Sequence, residues 1–334
     1  MITLAPTIAL FLGSAVVIYF ACEFFVNGVE WVGHRFDMSQ NATGAVLAAA
    51  GTALPESVVT FVAVVFGTSA AQKEIGVGAA VGGPLVLSTI AYAVVGWTLL
   101  ALGARAPAVL APPRDCKALA RDQSWFLGVF VAALTLGLVA FPFKRWLALA
   151  FIGVYGAFFW KVMRAEAGET EGEREPLKIA PRHDQPPATL AVLQTVAALT
   201  VIFFASRVFV DQMQVLGPHL GLKPQLLALL LSPVATELPE ILNAIIWVRA
   251  GKIRLALANI SGAMMIQATV PSALGVFFTP WRLDPPLILA GLTTLLSIAL
   301  LFLLFRRGRI GKRALSAFGL LYAAFVAVVM VGRL

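Results

Sequence analysis

Charged residues are scarce in this chain of 334 residues, and their scarcity restricts what the protein can be. Only 13% of the residues are Asp, Glu, Lys or Arg, 60% are hydrophobic, and the mean hydropathy is +0.89. A water-soluble domain has about one quarter charged and one half apolar residues. The composition therefore excludes an ordinary soluble domain and indicates a membrane protein.

Cysteine and histidine are also rare, which limits the chemistry available to the chain. The two cysteines, Cys22 and Cys116, lie far apart, and the three histidines form no HExxH motif. The sequence therefore predicts neither a disulfide framework nor a zinc site of the usual Cys and His spacing. We predict no enzymatic activity and no resident cofactor, and an intramembrane metal-dependent enzyme is the alternative with the least support.

Long apolar segments recur along most of the chain. Each has about 20 residues, which is enough for a helix to cross a bilayer, whereas the strands of a membrane barrel alternate over about ten residues. We therefore predict an all-α membrane protein with ten transmembrane helices. The predicted spans lie near residues 5–29, 41–67, 75–103, 124–140, 145–163, 188–210, 224–248, 253–278, 286–305 and 313–331.

A charged, proline-containing segment at 165–187 separates the fifth span from the sixth. Its composition is typical of a mobile loop. The loop divides the chain into two halves of five spans, 1–164 and 188–334. Because five is an odd number, homologous halves would enter the membrane from opposite faces.

The two halves share sequence at a constant offset. FACEFFV at 20–26 aligns with FASRVFV at 204–210, and the Leu-Pro-Glu within GTALPE at 51–56 aligns with that within ATELPE at 235–240. Inverted repeats of this kind are typical of secondary transporters, whose binding sites lie near the membrane midplane between the repeats. We predict two inverted five-helix repeats.

Basic residues lie mostly in the loops on one side of the predicted helices. Because cytoplasmic loops carry the excess of Lys and Arg, we predict that both termini lie outside and that the 165–187 loop is cytoplasmic, in a plasma or inner membrane. This placement also explains the net charge of +8 without a nucleic-acid partner. The predicted partners are inorganic cations and the lipid bilayer, and the oligomeric state is left open.

Three carboxylates lie deep in the predicted spans: Glu56, Glu237 and Glu240. A charge at the bilayer centre costs roughly 2.5–3.5 kcal/mol on insertion scales, so such a group must be neutral, paired or facing a wet cavity. A protonated Glu bonded to a neighbouring helix would account for one of them. Two that follow Leu-Pro at matched positions favour a functional site.

The prolines of the two motifs contribute to the same site. Pro55 and Pro239 lack an N–H and loosen the helix four residues back, which frees carbonyl oxygens. Thr52 and Thr236 add hydroxyls one turn before the carboxylates. Oxygen ligands of this kind suit hard cations such as Ca²⁺. Two negative charges balance one divalent cation, two monovalent cations or two protons, which is a physical basis for exchange.

The two motifs closely resemble the paired repeats of the Ca²⁺/cation antiporter superfamily, typified by sodium/calcium exchangers. The family pattern is roughly GTSLPE on the second and seventh of ten helices, each followed on the next helix by a GSNxFN-like stretch. The likeness covers the whole chain in span number, inverted halves and orientation. The metal-ligating residues that we predict on this basis are Glu56, Glu240, Thr52, Thr236, Glu237, Gln267, Ala49 and Pro233.

The chain departs from the family pattern at several of the ligand positions. GGPLVL at 82–87 places Gly83 where the family has Ser and Leu87 where it has Asn, and GAMMIQ at 262–267 ends in Gln267. Glu237 stands where a Ser is usual. Polar ligands are lost and one carboxylate is gained, which favours coupling to protons or to fewer Na⁺ ions.

The resemblance implies a secondary-active antiporter that exchanges Ca²⁺ or a related divalent cation for Na⁺ or H⁺ by alternating access. Spans two, three, seven and eight would form the core, and spans one and six would move against it. The alternatives are a proton-coupled exchanger of another cation, such as Mg²⁺ or Mn²⁺, and a non-transporting ion sensor. Glu23 and Arg207 align between the halves and are either a gating pair or separate charges at the membrane surface.

Overall fold

The computed structural model describes residues 4–35, 54–103, 113–165, 175–183, 185–308 and 310–331. Within these ranges the regular secondary structure is entirely helical, which confirms the all-α prediction. The helices are α1 Leu4–Arg35, α2 Leu54–Val65, α3 Ala70–Val86, α4 Tyr92–Ala101, α5 Pro113–Leu138, α6 Ala148–Ala165, α7 Ala188–Leu220, α8 Pro224–Thr236, α9 Leu238–Arg249, α10 Ile253–Phe278, α11 Pro285–Arg306 and α12 Lys312–Val331.

Two pairs of these helices are continuations of one another. A π-helical turn at Leu87–Ala91 joins α3 to α4, and α8 is separated from α9 by Glu237 alone. With each pair counted as one rod, every predicted span contains one helical rod. Among the described residues, seven rods are long and apolar enough to cross a membrane, and α2 is a shorter apolar helix.

The helices α3 and α10 lie at the centre of the molecule. In their most apolar windows, 72% of the residues of the α3–α4 rod and 78% of those of α10 are buried. Packing around them is paired between the halves: α5 packs on α10 as α11 packs on α3, and α6 packs on α10 as α12 packs on α4. This exchange of equivalent contacts is the pattern of two repeats related by a two-fold axis.

The helices α1 and α7 form a separate pair beside this core. They pack along each other, but only 28% of the residues in their most apolar windows are buried. Large apolar side chains such as Leu12, Phe20, Leu193 and Phe204 are exposed on them. In a membrane protein such a surface faces lipid, so this pair has fewer protein neighbours than the core helices have.

Glycines allow α3 to approach α8 closely. A side chain at Gly78 would overlap the carbonyl of Gln225, and a Cβ at Gly82 would lie 2.7 Å from the carbonyl oxygen of Leu229. Small residues at such spacing let helix backbones meet inside a membrane. The close contact places α3 directly beside the break between α8 and α9.

The predicted mobile loop is in part docked against the helices. In the described segment 175–183, Leu177 is fully buried. The Asn27 side chain of α1 donates to a carbonyl of this segment and accepts from the Lys178 N–H at 2.9 Å, and the Lys178 ammonium pairs with Glu23 at 3.0 Å. The prediction of mobility is therefore wrong for this part, because a buried leucine and satisfied backbone groups hold it on α1 and α7.

The charges that align between the halves have separate partners. Glu23 pairs with the docked segment, whereas the Arg207 guanidinium lies 5.9 Å from the centre of the Phe66 ring. They therefore do not form a gating pair in this structure. Asp211 accepts a hydrogen bond of 2.7 Å from the Gln72 amide, which ties the first turn of α3 to α7.

Candidate functional site

The two Leu-Pro-Glu motifs bring three carboxylates into the core. Glu56 lies in the first turn of α2, Glu237 at the break between α8 and α9, and Glu240 in the first turn of α9. All three side chains are fully buried. Burial of this degree is costly for a carboxylate unless a proton, a donor or a cation balances it.

The break at Glu237 follows from the prolines around it. Pro239 has no N–H, so the helical bond to the carbonyl four residues back cannot form. Glu237 ends α8 and begins α9 with φ −95° and ψ −2°, and its N–H donates to the Pro233 carbonyl at 2.9 Å. The predicted loosening of this helix is confirmed. It places polar helix ends beside the buried carboxylates, as in transporters with discontinuous helices.

A hydroxyl of the second motif serves the carboxylate of the first. Thr236 Oγ1 donates to Glu56 Oε2 at 2.6 Å, and Ser232 Oγ lies 3.4 Å from the same oxygen. Thr236 Oγ1 is also 3.4 Å from Glu237 Oε1. Because a hydroxyl has one proton to donate, Thr236 donates it in the shorter contact, to Glu56. The two repeats therefore meet at the Glu56 carboxylate.

A second contact connects the site to α10. Gln267, which is fully buried, donates from Nε2 to Glu237 Oε1 at 2.7 Å. Glu237 interacts electrostatically with both Glu240 and Glu56. Gln267, Glu237, Thr236 and Glu56 thus lie in one buried polar cluster, which contains groups from both halves.

Among the described residues, three buried oxygens of this cluster have no hydrogen-bond partner: Glu56 Oε1, Glu237 Oε2 and Gln267 Oε1. Neither Glu56 nor Glu237 forms an ion pair with Lys or Arg in the described part of the chain. Buried acceptors without donors are uncommon in folded proteins and call for an explanation. A hard cation, which binds carboxylate, amide and hydroxyl oxygens, fits these groups.

The carboxylates do not by themselves form a closed metal cage. Within the described ranges, no three Asp, Glu, His or Cys side chains converge closely enough to hold one ion. Hydroxyl and amide groups lie between the carboxylates instead. A cation bound by these carboxylates would therefore also need neutral oxygens, such as those of hydroxyl and amide groups, to complete its coordination.

The structure places most of the predicted ligands, but not all. Glu56, Thr236, Glu237 and Gln267 lie together, as described above. Glu240 is buried in the first turn of α9, and the Pro233 carbonyl is engaged by the Glu237 N–H, so that only its second lone pair is available. The predicted ligands outside the described residues are Thr52 and Ala49.

Sequence reasoning missed one contact of the cluster. Ser232 is fully buried beside Glu56 and was not among the predicted ligands. Its position one turn before Thr236 was the available signal, because residues four apart share a helix face. Leu87, which stands where the family pattern has Asn, is fully buried and offers no side-chain oxygen.

Comparison with known families gives one match over nearly the whole chain. The family model described as "Sodium/calcium exchanger protein" matches residues 6–163 and 190–331. The inner membrane protein YrbG of Escherichia coli (strain K12) is 26% identical over 310 residues, which cover 90% of this chain and 88% of YrbG.

Two solved structures share the architecture. The H⁺/Ca²⁺ exchanger CAX superposes with a TM-score of 0.78 at 17% identity, over 97% of this chain and 82% of that protein. The sodium-calcium exchanger NCX_Mj superposes with a TM-score of 0.61 at 17% identity, over 97% of this chain and 99% of that protein. The predicted fold of two inverted five-helix repeats is thereby confirmed.

Proposed function

Because this chain belongs to the sodium/calcium exchanger protein family, whose members are transporters, we propose that it is a secondary-active cation antiporter. It exchanges Ca²⁺ or a related divalent cation for Na⁺ or H⁺ across the membrane by alternating access. The observation that carries this proposal is the joining of both repeats at one carboxylate, where Thr236 of the second motif donates to Glu56 of the first.

The charge of the buried cluster supports a cationic cargo. Glu56, Glu237 and Glu240 together bring up to three negative charges into the core, and buried charges must be compensated. The three partnerless oxygens are all acceptors, which a cation satisfies and an anion does not. Glu56 and Glu240 are the principal ligands, Thr236, Glu237 and Gln267 contribute further oxygens, and the carbonyl of Pro233 can add its second lone pair.

The packing of the helices supports a division into a fixed part and a moving part. The core around α3 and α10 is largely buried, whereas α1 and α7 pack mainly on each other. The α1–α7 pair, together with the docked segment 175–183, slides against this core during transport. Such a rigid-body movement exposes a site between repeats first to one side of the membrane and then to the other.

The orientation of the chain follows from its basic residues. Both termini lie outside, the 165–187 loop lies in the cytoplasm, and the protein resides in a plasma or inner membrane. The excess of Lys and Arg in the loops assigned to the cytoplasm supports this orientation. The relative YrbG is described as an inner membrane protein.

The proposal is tested by Ca²⁺ uptake into proteoliposomes under an imposed Na⁺ gradient or an imposed pH gradient. Wild-type protein is expected to drive uptake with at least one of them. Glu56→Gln and Glu240→Gln each remove one balancing charge and keep the shape, so each is expected to abolish uptake. Glu74→Gln changes an exposed carboxylate of α3 and serves as the matched control.

The outcomes separate the proposal from its alternatives. Uptake driven by neither gradient, in protein that still binds Ca²⁺, would favour an ion sensor on the exchanger fold. Uptake of Mg²⁺ or Mn²⁺ in place of Ca²⁺ would favour the related exchanger of another cation. Wild-type uptake in both Gln variants, at normal expression, would show that these two carboxylates are not the principal ligands of the cation.

A further inference from the structure

The space that a side chain at Gly83 of α3 would need is already filled by other residues. A Cβ at this position would lie 2.6 Å from Gln267 Oε1, 3.0 Å from Gln267 Cδ and 3.2 Å from Glu237 Oε1. Real Cβ atoms essentially never approach another heavy atom within 3.0 Å. The amide of Gln267 and the carboxylate of Glu237 therefore occupy the place that any side chain at 83 would need.

The orientation of the Gln267 amide is determined by its neighbours. Its nitrogen donates to Glu237 Oε1 at 2.7 Å, and its oxygen lies over Gly83. The reversed amide would bring its carbonyl oxygen against a carboxylate oxygen, and neither is a donor when the carboxylate is ionised. Both side chains are fully buried, so bulk water cannot replace the contact.

The contact brings together three helical elements from both halves of the chain. Gly83 lies on α3 in the first half, whereas Glu237 lies at the break between α8 and α9 and Gln267 lies on α10 in the second half. Through Thr236 the same cluster continues to Glu56. A side chain at 83 would therefore have to displace the Gln267 amide, which is hydrogen-bonded to Glu237.

We propose that Gly83, Gln267 and Glu237 act as one selectivity unit of the exchanger, in which the missing side chain at 83 admits the Gln267 amide and this amide orients Glu237. The unit adds a carboxylate oxygen and an amide oxygen, Glu237 Oε2 and Gln267 Oε1, to the site shared with Glu56. A third carboxylate raises the negative charge of the site, which favours a divalent over a monovalent cation. This inference rests on the proposed function, and in it Gln267 positions Glu237 in addition to contributing its own amide oxygen.

The test is a double-mutant cycle between Gly83→Ala and Gln267→Asn in the full-length protein. The alanine Cβ collides with the amide, whereas asparagine is one methylene shorter and withdraws the amide from that space. We measure the thermal unfolding midpoint of the purified protein without divalent cation, and Ca²⁺ binding in competition with Na⁺. Gly262→Ala is the matched control, because a Cβ at Gly262 meets nothing within 4 Å.

Gly83→Ala is expected to lower the unfolding midpoint and to weaken Ca²⁺ binding roughly tenfold, as overpacking of a filled core does. Gly262→Ala is expected to leave both unchanged. Gln267→Asn alone is expected to weaken Ca²⁺ relative to Na⁺, because the shorter amide no longer orients Glu237. In the double variant the unfolding midpoint is expected to recover, whereas the preference for Ca²⁺ over Na⁺ stays reduced.

Each result bears on the inference. A normal midpoint in Gly83→Ala, or a midpoint that Gln267→Asn does not restore, would overturn the steric unit. If the midpoint recovers in the double variant but Gln267→Asn leaves the preference for Ca²⁺ over Na⁺ unchanged, the role of the unit in selectivity would be overturned. If Gly83→Ala does not fold, recovery of folded protein in the double variant supports the unit. Because the midpoint does not depend on transport, a failure of exchange in the wild type is distinguishable from a failure of this inference.

Discussion

The hydrogen bond from Thr236 to Glu56 offers the sharpest test of the site. Thr236→Val removes the hydroxyl and keeps the size and branching of the side chain. Glu56 Oε2 would then lose its 2.6 Å donor and, among the described residues, retain Ser232 Oγ at 3.4 Å. The substitution therefore changes the contact between the two repeats and leaves the carboxylates of Glu56 and Glu237 in place.

The expected magnitude follows from the type of bond. A hydrogen bond to a charged group contributes about 1.5–3 kcal/mol. Without it, the charged form of buried Glu56, which we propose as a ligand of the cation, is harder to maintain. The apparent affinity for Ca²⁺ is therefore expected to fall roughly 10- to 150-fold. The measurement is the concentration dependence of the initial Ca²⁺ uptake rate in proteoliposomes, with equal amounts of reconstituted protein.

Thr60→Val provides the matched control on the helix that carries Glu56. Thr60 is fully buried one turn after Glu56, and its hydroxyl has no hydrogen-bond partner in the part of the chain that the structure describes. Loss of this hydroxyl removes no bond, so the affinity is expected to stay within about twofold of the wild type. Unchanged affinity in Thr236→Val, or an equal loss in Thr60→Val, would refute the assigned role of the Thr236 hydroxyl.

Two further predictions concern stability and orientation. Lys144, which is buried, donates to three backbone carbonyls around the loops at one end of the molecule, those of Val139, Pro280 and Trp281. Lys144→Met leaves these acceptors without their donor and is expected to destabilise the protein by about 1–3 kcal/mol in thermal unfolding. The control Lys223→Met, at a side chain that is 66% exposed, is expected to change the stability little. Equal unfolding midpoints in the two variants would contradict this prediction. For orientation, a membrane-impermeant thiol reagent is expected to label Lys223→Cys from outside and Arg182→Cys only from the cytoplasmic side, since Cys22 and Cys116 are buried. Labelling of Arg182→Cys by the impermeant reagent in intact cells would contradict the assigned topology.

The sequence predicted the architecture because hydrophobicity alone determines much of it in a membrane. Each apolar run of sufficient length has one stable form in a bilayer, a helix, since every backbone group must be bonded internally. The repeated Leu-Pro-Glu showed where the two halves correspond. The proline rule then predicted the interruption near Ala235, which the structure has at Glu237.

The prediction was wrong where composition was taken as a measure of mobility. The segment at 175–183 is polar as a whole, but Leu177 is fully buried and Asn27 bonds the segment's backbone. Buried Leu177 and hydrogen bonds with side chains of α1 and α7 dock it. The average composition of a loop cannot reveal such a contact, because the partner is distant in the sequence.

The candidate site residues could be selected from the sequence, whereas their contacts with one another were determined by tertiary structure. Glu56, Glu240 and Thr236 could be selected because carboxylates and hydroxyls are exceptional in apolar helices. That Thr236 serves the opposite repeat, and that Gln267 fills the space over Gly83, depends on helices packing side by side. The physical reason is that chain periodicity specifies which face of a helix a residue occupies, whereas only the packed neighbours decide which atoms meet there.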